Sequence, residues 1–344
     1  MNDSMRNLPD LLEELKRLLA QVPPGRVTTY GSLAAALGDR IAARWVGQVL
    51  LHDERVIDRP THRVVRAGGE LGQFPGGDVA LKERLLKDEG VAVTDQRVDL
   101  EQHGFAEFES SRPLAQLRQQ QEALRERLVL PSGSGGSAGV SDTISLVAGV
   151  DVSYQGDEAV AAYALIELGQ GRAEASEPVW SHVVRQRVTF PYISSYLAFR
   201  ELPVLLTLLK EVASQSPLAD IILVDGSGIL HPRRMGIASM LGVLSGQPTI
   251  GVTKKRLIGR EESTAEEGSP VELPAAAPMV HEQEQLGWAV WPRSGTRRPL
   301  YVSPGHLIDL ATSRDIVLRS LGERRLPEPI YWADRLSRAA ARSK

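Results

Sequence analysis

The sequence predicts an α/β protein of two domains, and three observations carry that expectation. At 344 residues the chain is long for one core, and its 42% hydrophobic residues suffice to build two. Its front part holds short helices separated by turn residues in a helix-turn-helix pattern. Past a stretch rich in Ser and Gly, strand-like and helical segments alternate, which a mixed sheet with helices on both faces satisfies.

In the front part, Leu8, Leu11, Leu12, Leu15, Leu18 and Leu19 recur at helical spacing, and Pro23 to Gly25 ends the helix they predict. The stretch "VTTYGSLAAALGDRIAARWVGQVLL" reads as two short helices broken around Gly38 and Asp39. "RVVRAGGELG" reads as a hairpin turned by Gly68 and Gly69, and "DVALKERLLKDEGV" as an amphipathic helix closed by Gly90. These elements predict a first domain over 1–104, a linker over 105–111 and a second domain over 112–344.

The second part opens with the amphipathic helix of "SSRPLAQLRQQQEALRERLVL", followed by "PSGSGGSAGVSD", a flexible low-complexity loop. "SLVAGVDVSY", "VAAYALIEL" and "WSHVVRQRVTF" read as three consecutive antiparallel strands. The helical "YLAFRELPVLLTLLKEV", the apolar strand "DIILVDG", a helix through "MGIASMLGVLSG" and the strand "PTIGVTKK" follow. "REESTAEEGSPVELPAAAPMVHEQEQ", rich in Ala, Pro and Glu, reads as a solvated loop insertion, and the chain carries no internal repeat.

Composition removes several kinds of chemistry. A formal charge of −3 and a pI near 6.2 give no global basic signature, so any nucleic-acid contact has to come from local patches. Zero cysteines exclude disulfides, thiolate metal sites and cysteine-based covalent catalysis. No run of about 18 apolar residues is present, and the N-terminus is charged and amphipathic, so a soluble, cytoplasmic protein with no membrane contact is expected.

Two carboxylates stand out. Asp151 lies within the apolar "VAGVDVSY" and Asp225 ends "IILVDGSG", and a carboxylate in an apolar strand is costly unless something neutralises it. Glu201 lies early in the helix between them. Taken alone, Asp225 before Gly226 also fits a turn or capping residue, and Glu201 a solvent-facing one. The order strand-Asp, helix-Glu, strand-Asp is nevertheless the one an RNase H-like sheet uses to gather oxygens around divalent cations.

From about Pro113 to near the C-terminus the chain resembles endonuclease V. The resemblance is carried by "GVDVSY", "FPYISSYLAFRE", "VDGSGILHPRRMGIA", "GVTKKRL", "SPGHLIDLATS" and "PEPIYWADRLS". It implies an RNase H-like nuclease fold in which Asp151, Glu201 and Asp225 hold Mg²⁺, with Mn²⁺ able to substitute. It further implies that His306, at a helix start after "SPG", sits by the metal and attacking water, and that Lys254 faces the scissile phosphate. Tyr192 takes the wedge position that unstacks a base, and Ser227, His231 and Arg233 shape the base pocket or phosphate track. Two residues depart from common bacterial forms: Ser194 stands where proline is frequent, and Ser227 stands between the glycines of "DGSG".

From about Leu8 to Val91 the chain resembles the winged helix-turn-helix DNA-binding domain of O6-alkylguanine-DNA alkyltransferases. "GRVTTYGSLAAALG", "ARWVGQVL", "PTHRVVRAGGELGQFPGG" and "LLKDEGV" carry the resemblance. Thr61 stands where that family's P-C-H-R places its reactive thiolate, and a threonine hydroxyl is a far weaker nucleophile at neutral pH. The nearest likeness is therefore to alkyltransferase-like proteins, which hold a lesion without repairing it. The resemblance implies lesion recognition by Tyr30, Arg44, Thr61, His62 and Arg63, with His62 and Glu89 a hydrogen-bonded pair.

Together the two resemblances predict a DNA repair endonuclease. In it, a non-reactive front domain senses an alkylated or otherwise modified base and the second domain hydrolyses a nearby phosphodiester. A monomer acting on double-stranded DNA, with no obligate protein partner, is expected. Three other readings compete: a nuclease that chooses deaminated bases such as inosine with the front domain only adding DNA affinity, a non-catalytic lesion-binding signalling protein, and an RNA-directed nuclease.

Overall fold

The computed structural model of the chain describes residues 8–131, 143–169, 177–216, 218–262, 273–294 and 298–343. The backbone divides into two compact units: Leu8–Gln120 with Thr189–Leu197, and the described residues of Gln121–Val188 and Ala198–Lys344. The low-complexity stretch around residues 132–142 lies outside the described residues.

The front unit is mainly helical. Helix α1 (Leu11–Ala20) starts where the Asp10 carboxylate accepts from the amides of Leu12 and Glu13, and it buries Leu11, Leu15, Leu18 and Leu19. Strand β1 (Thr28–Thr29) runs straight into α2 (Tyr30–Ala36), where Thr29 Oγ1 accepts from the Ser32 amide at 3.0 Å. Asp39 then caps a 3₁₀ turn, Arg40–Ala42, that leads directly into α3 (Ala43–His52). Two further 3₁₀ turns, Glu54–Val56 and Thr61–Arg63, precede β2 (Val64–Val65), and α4 (Val79–Asp88), β3 (Val93–Thr94), β4 (Arg97–Val98) and α5 (Leu100–His103) follow. Val27, Val65, Leu71, Leu86, Val91 and Val98 form its packed centre.

The expected "RVVRAGGELG" hairpin is corrected. The turn at Gly68 and Gly69 is present and closed by Gly69 N donating to Arg66 O and Arg66 N donating to Glu70 O, both at 2.9 Å, but the residues beyond that pair do not continue it as a two-stranded ladder. Val64–Val65 runs parallel to Thr28–Thr29, and Glu70 bridges to Arg97. Gly69 is needed there: its φ is +86°, and a Cβ would lie 2.2 Å from the Val98 carbonyl.

Helix α6 (Pro113–Arg125) passes from the first unit into the second, which is built on one mixed sheet. Its strands are β5 (Leu146–Gln155), β6 (Glu158–Glu167), β7 (Trp180–Arg187), β8 (Ile221–Asp225), β9 (Thr249–Thr253), β10 (Arg260–Glu261), β11 (Ala275–His281), β12 (Glu284–Trp291) and β13 (Leu300–His306). They lie in the order β10-β11-β12-β13-β9-β8-β5-β6-β7, parallel only between β5, β8 and β9. The helices are α7 (Leu197–Gln215), α8 (Ile237–Ser245), α9 (Leu310–Arg319) and α10 (Glu328–Arg342). Val147, Leu223, Ile250, Val302 and Ile330 belong to its main apolar cluster. This is the mixed α/β architecture the alternation of segments predicts.

Part of the predicted loop insertion is instead sheet. Ala275–His281 forms β11 and pairs antiparallel with β12 through a turn at Glu282 and Gln283, both at positive φ. Ala277 and Met279 point inward while their neighbours are less buried, a strand alternation hidden by residues of low strand propensity. No described helix is long and apolar enough to cross a membrane.

Candidate active site

The register of the central parallel strands brings the first two acids together. Val150 on β5 pairs with Val224 on β8, so the next residues, Asp151 and Asp225, stand level on strands about 4.8 Å apart. Residues i, i+2 and i+4 share a strand face, and Gly149, Asp151 and Ser153 meet α10 on theirs. A Cβ at Gly149 would come 2.1 Å from the backbone of Pro329, so only glycine lets the start of α10 lie this close. One turn from its end, Ser337 Oγ donates to Asp151 Oδ2 at 2.8 Å and lies 2.9 Å from Ser153 Oγ.

Glu201, in the first turns of α7, accepts from Tyr154 Oη at 3.2 Å, and the Arg200 guanidinium lies 4.4 Å over the Tyr154 ring. Lys254, just past β9, donates to Asp225 Oδ2 at 2.6 Å. Burial, then the negative charge of Asp225, raises the Asp151 carboxyl to about 6 against the opposing hydrogen bond from Ser337. Burial and the Asp151 charge raise Glu201 to about 8. The charge of Asp225 thus works to raise both Asp151 and Glu201, so the three acids share one electrostatic environment, of a kind that a divalent cation would relieve.

Among the described residues no three His, Asp or Glu side chains close around a single point; Lys254 donates to Asp225 and Tyr154 to Glu201. The donor set, all oxygen and mutually unneutralised, fits a hard cation nonetheless. Asp334 belongs to the same environment and was not singled out by sequence: its charge also raises Asp151, and it pairs with Arg338 at 2.9 Å. Its signal lay in "YWADRLS", where Asp334 and Ser337 are three apart and so share a face of α10.

His306 is not where sequence expected it. Strand β13 runs through "SPGH" instead of ending before it, so His306 is a strand residue opposite Thr249, whereas Asp225 lies opposite Val252. Three residues of strand separate those levels, about 10 Å. Its Nδ1 accepts from the Val129 amide at 3.2 Å, and burial together with Arg127 lowers its pKa. It is a core histidine at the other end of β9, and its expected place by metal and water is corrected.

In the front unit Thr61 is buried at the start of its 3₁₀ turn. His62 Nε2 lies 2.8 Å from Glu89 Oε1, and Arg63 clamps the same carboxylate through Nε at 2.9 Å and Nη2 at 2.6 Å. Partial burial works to raise Glu89, yet these partners hold it at about 2. Arg63 also donates to the Val22 carbonyl at 2.7 Å, so its expected lesion contact is corrected: its donors hold the scaffold. Tyr30 opens α2 half-buried, its ring beside Gly47, and burial raises its pKa. Arg44 is exposed in the first turn of α3.

Sequence also overlooked Lys82, which is fully buried on α4 and donates to the carbonyls of Val64 at 2.6 Å and Leu71 at 2.5 Å. Burial lowers it to about 8. Val79, Lys82 and Leu86 share one helix face, and a lysine in an apolar stripe is the signal that was available.

Residues 136–335 match the sequence profile of endonuclease V. The chain belongs to the endonuclease V family. Residues 11–91 match the 6-O-methylguanine DNA methyltransferase DNA-binding domain, so an alkyltransferase-like domain precedes the endonuclease V domain. A bifunctional methyltransferase/endonuclease of Picrophilus torridus is 32% identical over 321 residues, covering 93% of each chain. Endonuclease V of Ignicoccus hospitalis is 45% identical over 59% of this chain and 85% of that protein. Among solved structures, the catalytic domain of human endonuclease V superposes with a TM-score of 0.58 at 29% identity, covering 68% of this chain and 98% of that one. Endonuclease V of Ciona intestinalis, in complex with a DNA containing an inosine followed by a ribo-adenosine, gives 0.55 at 30% identity, covering 66% and 97%. Membership makes this chain a nuclease, a hydrolase, and its two domains are those of a DNA repair endonuclease.

The remaining endonuclease V positions fall into two groups. Tyr192 is 64% exposed between buried Phe190 and Ile193, a projecting ring on an anchored loop. Ser227 and His231 are buried; His231 Nδ1 accepts from the Arg233 amide at 3.2 Å, and burial then Arg233 lower its pKa to about 4. Arg233 donates to Gln121 Oε1 at 2.8 Å. The "DGSG" turn is close-packed throughout: a Cβ on Gly228 would meet the Pro304 carbonyl at 2.0 Å, which accounts for small residues there.

Proposed function

We propose that Asp151, Glu201 and Asp225 hold Mg²⁺, or Mn²⁺ in its place, and that the endonuclease V domain hydrolyses a DNA phosphodiester near a modified base. The observation that carries this reading is the pairing of Val150 with Val224, which sets two acids side by side and leaves their charges uncompensated by each other. A bound cation supplies an activated water and stabilises the leaving oxygen. Ser337 fixes the Asp151 carboxylate from behind. Lys254 stands beside Asp225, where its ammonium offsets charge developing on the phosphate. Tyr192 enters the duplex as a wedge.

In this reading the front domain binds an alkylated or otherwise modified base in the pocket around Thr61 and transfers no alkyl group. A threonine hydroxyl activated by no adjacent base is a poor nucleophile, and His62 is already turned to Glu89. Arg44 enters the stack. Tethering makes incision after recognition an intramolecular event, at effective concentrations that reach about the millimolar range. The chain acts as a monomer.

The test is incision of a panel of duplexes, one plain, one with deoxyinosine and one with O6-methylguanine, by the intact protein and by Asp151→Ala and Arg44→Ala. Asp151→Ala abolishes cutting of every duplex, and Arg44→Ala selectively weakens cutting of the alkylated one. Inosine in the DNA bound to the Ciona relative supports a second reading, that the nuclease alone selects a deaminated base. Unaltered lesion preference in Arg44→Ala favours that second reading.

A further inference from the structure

One short segment of the nuclease half, Thr189–Leu197, clusters with the front unit. Its anchor is Tyr196, fully buried, whose Oη donates to Asp39 Oδ2 at 2.8 Å and lies 3.2 Å from the Leu114 carbonyl. The other oxygen of Asp39 accepts from the Ile41 amide at 3.1 Å, which starts the 3₁₀ turn feeding α3 and Arg44. The surroundings are tight. Leu114 N donates to Leu37 O at 2.8 Å, and Gly38, at φ +108°, leaves no room for a Cβ, which would lie 2.5 Å from the Ala115 amide.

Tyr196 also holds a particular place along the chain. Four residues before it is the projecting Tyr192, and the next residue, Leu197, begins the helix that carries Glu201. One carboxylate thus caps, with one oxygen, the 3₁₀ turn that leads into α3 and grips, with the other, the chain between Tyr192 and Glu201.

We infer that Asp39 and Tyr196 are a positioning pair, through which the front unit sets the wedge loop and the start of α7 for incision. The inference rests on the nuclease reading proposed above. Two segments distant in sequence share one partly buried hydrogen bond, and a shift at the Arg40–Ala42 turn as α3 seats on DNA moves the acceptor of Tyr196. Neither residue touches the reacting phosphate. Their effect is on how often Tyr192 and Glu201 stand ready together.

The experiment uses the full chain and a duplex carrying one deoxyinosine with 2-aminopurine beside it. Tyr196→Phe removes only the hydroxyl. Asp39→Ser keeps a capping side chain but is too short to reach Tyr196. Each variant slows single-turnover nicking at saturating enzyme about tenfold, and the double variant is no slower than either, because both remove one shared interaction. The 2-aminopurine signal of unstacking falls toward that of Tyr192→Ala, while duplex affinity in an Asp151→Asn background and the melting temperature stay at their reference values. Wild-type nicking by Tyr196→Phe, losses that multiply in the double variant, or losses that follow melting temperature overturn the inference. An intact protein that does not cut overturns the nuclease reading and this inference with it, whereas an intact protein that cuts beside an equally active Tyr196→Phe overturns this inference alone.

Discussion

Ser337 on α10 donates a 2.8 Å hydrogen bond to the Oδ2 of Asp151 on β5. This bond opposes the burial and the Asp225 charge that raise Asp151 to about 6. Removing it by Ser337→Ala favours the protonated acid further, so the acidic limb of the pH–rate profile moves upward by roughly one unit, about 1.4 kcal/mol. Nicking rates measured between pH 5 and 9 check this, and an acidic limb left in place argues against the bond's role.

Lys254→Met removes the ammonium 2.6 Å from Asp225. Loss of one charge-stabilising donor from such a site costs on the order of 10²-fold in the chemical step. Single-turnover nicking falls by that order while duplex affinity stays close to wild type. A matching fall in affinity assigns Lys254 to DNA binding instead.

Gly149→Ala places a methyl group 2.1 Å from the Pro329 backbone, with no flexible side chain to yield. Overpacking of this kind costs about 1–3 kcal/mol. Chemical denaturation followed by the fluorescence of Trp332, on α10, reads the loss as a lower midpoint; an unchanged midpoint contradicts the close approach of α10 to β5.

Glu89 is held at about 2 in the folded chain against 4.5 as the ordinary value. Its contribution to stability is complete above about pH 4.5 and is lost as the pH falls through that window toward 2. Glu89→Gln lowers the melting temperature at neutral pH and flattens its acid dependence. Parallel melting curves for wild type and variant across the window show instead that Arg63 and His62 gain nothing from the charge.

Legibility followed the range of the interactions. Strands β5 and β8 are apolar runs whose single acids stand out, so both the strands and the residues were readable, and the helices of the front unit announced themselves by leucine spacing and turn residues. Strand β11 was hidden, because Ala and Pro gain their strand position only by pairing with β12. Pro304 and Gly305 suggested a helix start for His306, yet pairing with β9 carries the strand through them. Arg63 looked free to contact a lesion until Glu89, 26 residues away, claimed it. Asp334 and Ser337 were in view as part of a family string, but their meeting with Asp151 depends on α10 crossing β5 at Gly149.

The central claim is that the acids on the two central strands carry out the hydrolysis. Its most direct measurement is single-turnover nicking of a labelled duplex containing one deoxyinosine, in Mg²⁺, by the intact protein, Asp151→Asn and Asp225→Asn. Cutting by the intact protein, with both variants slower by on the order of 10³-fold at unchanged duplex affinity, is the expected result. Variants that nick as fast as the intact protein contradict it.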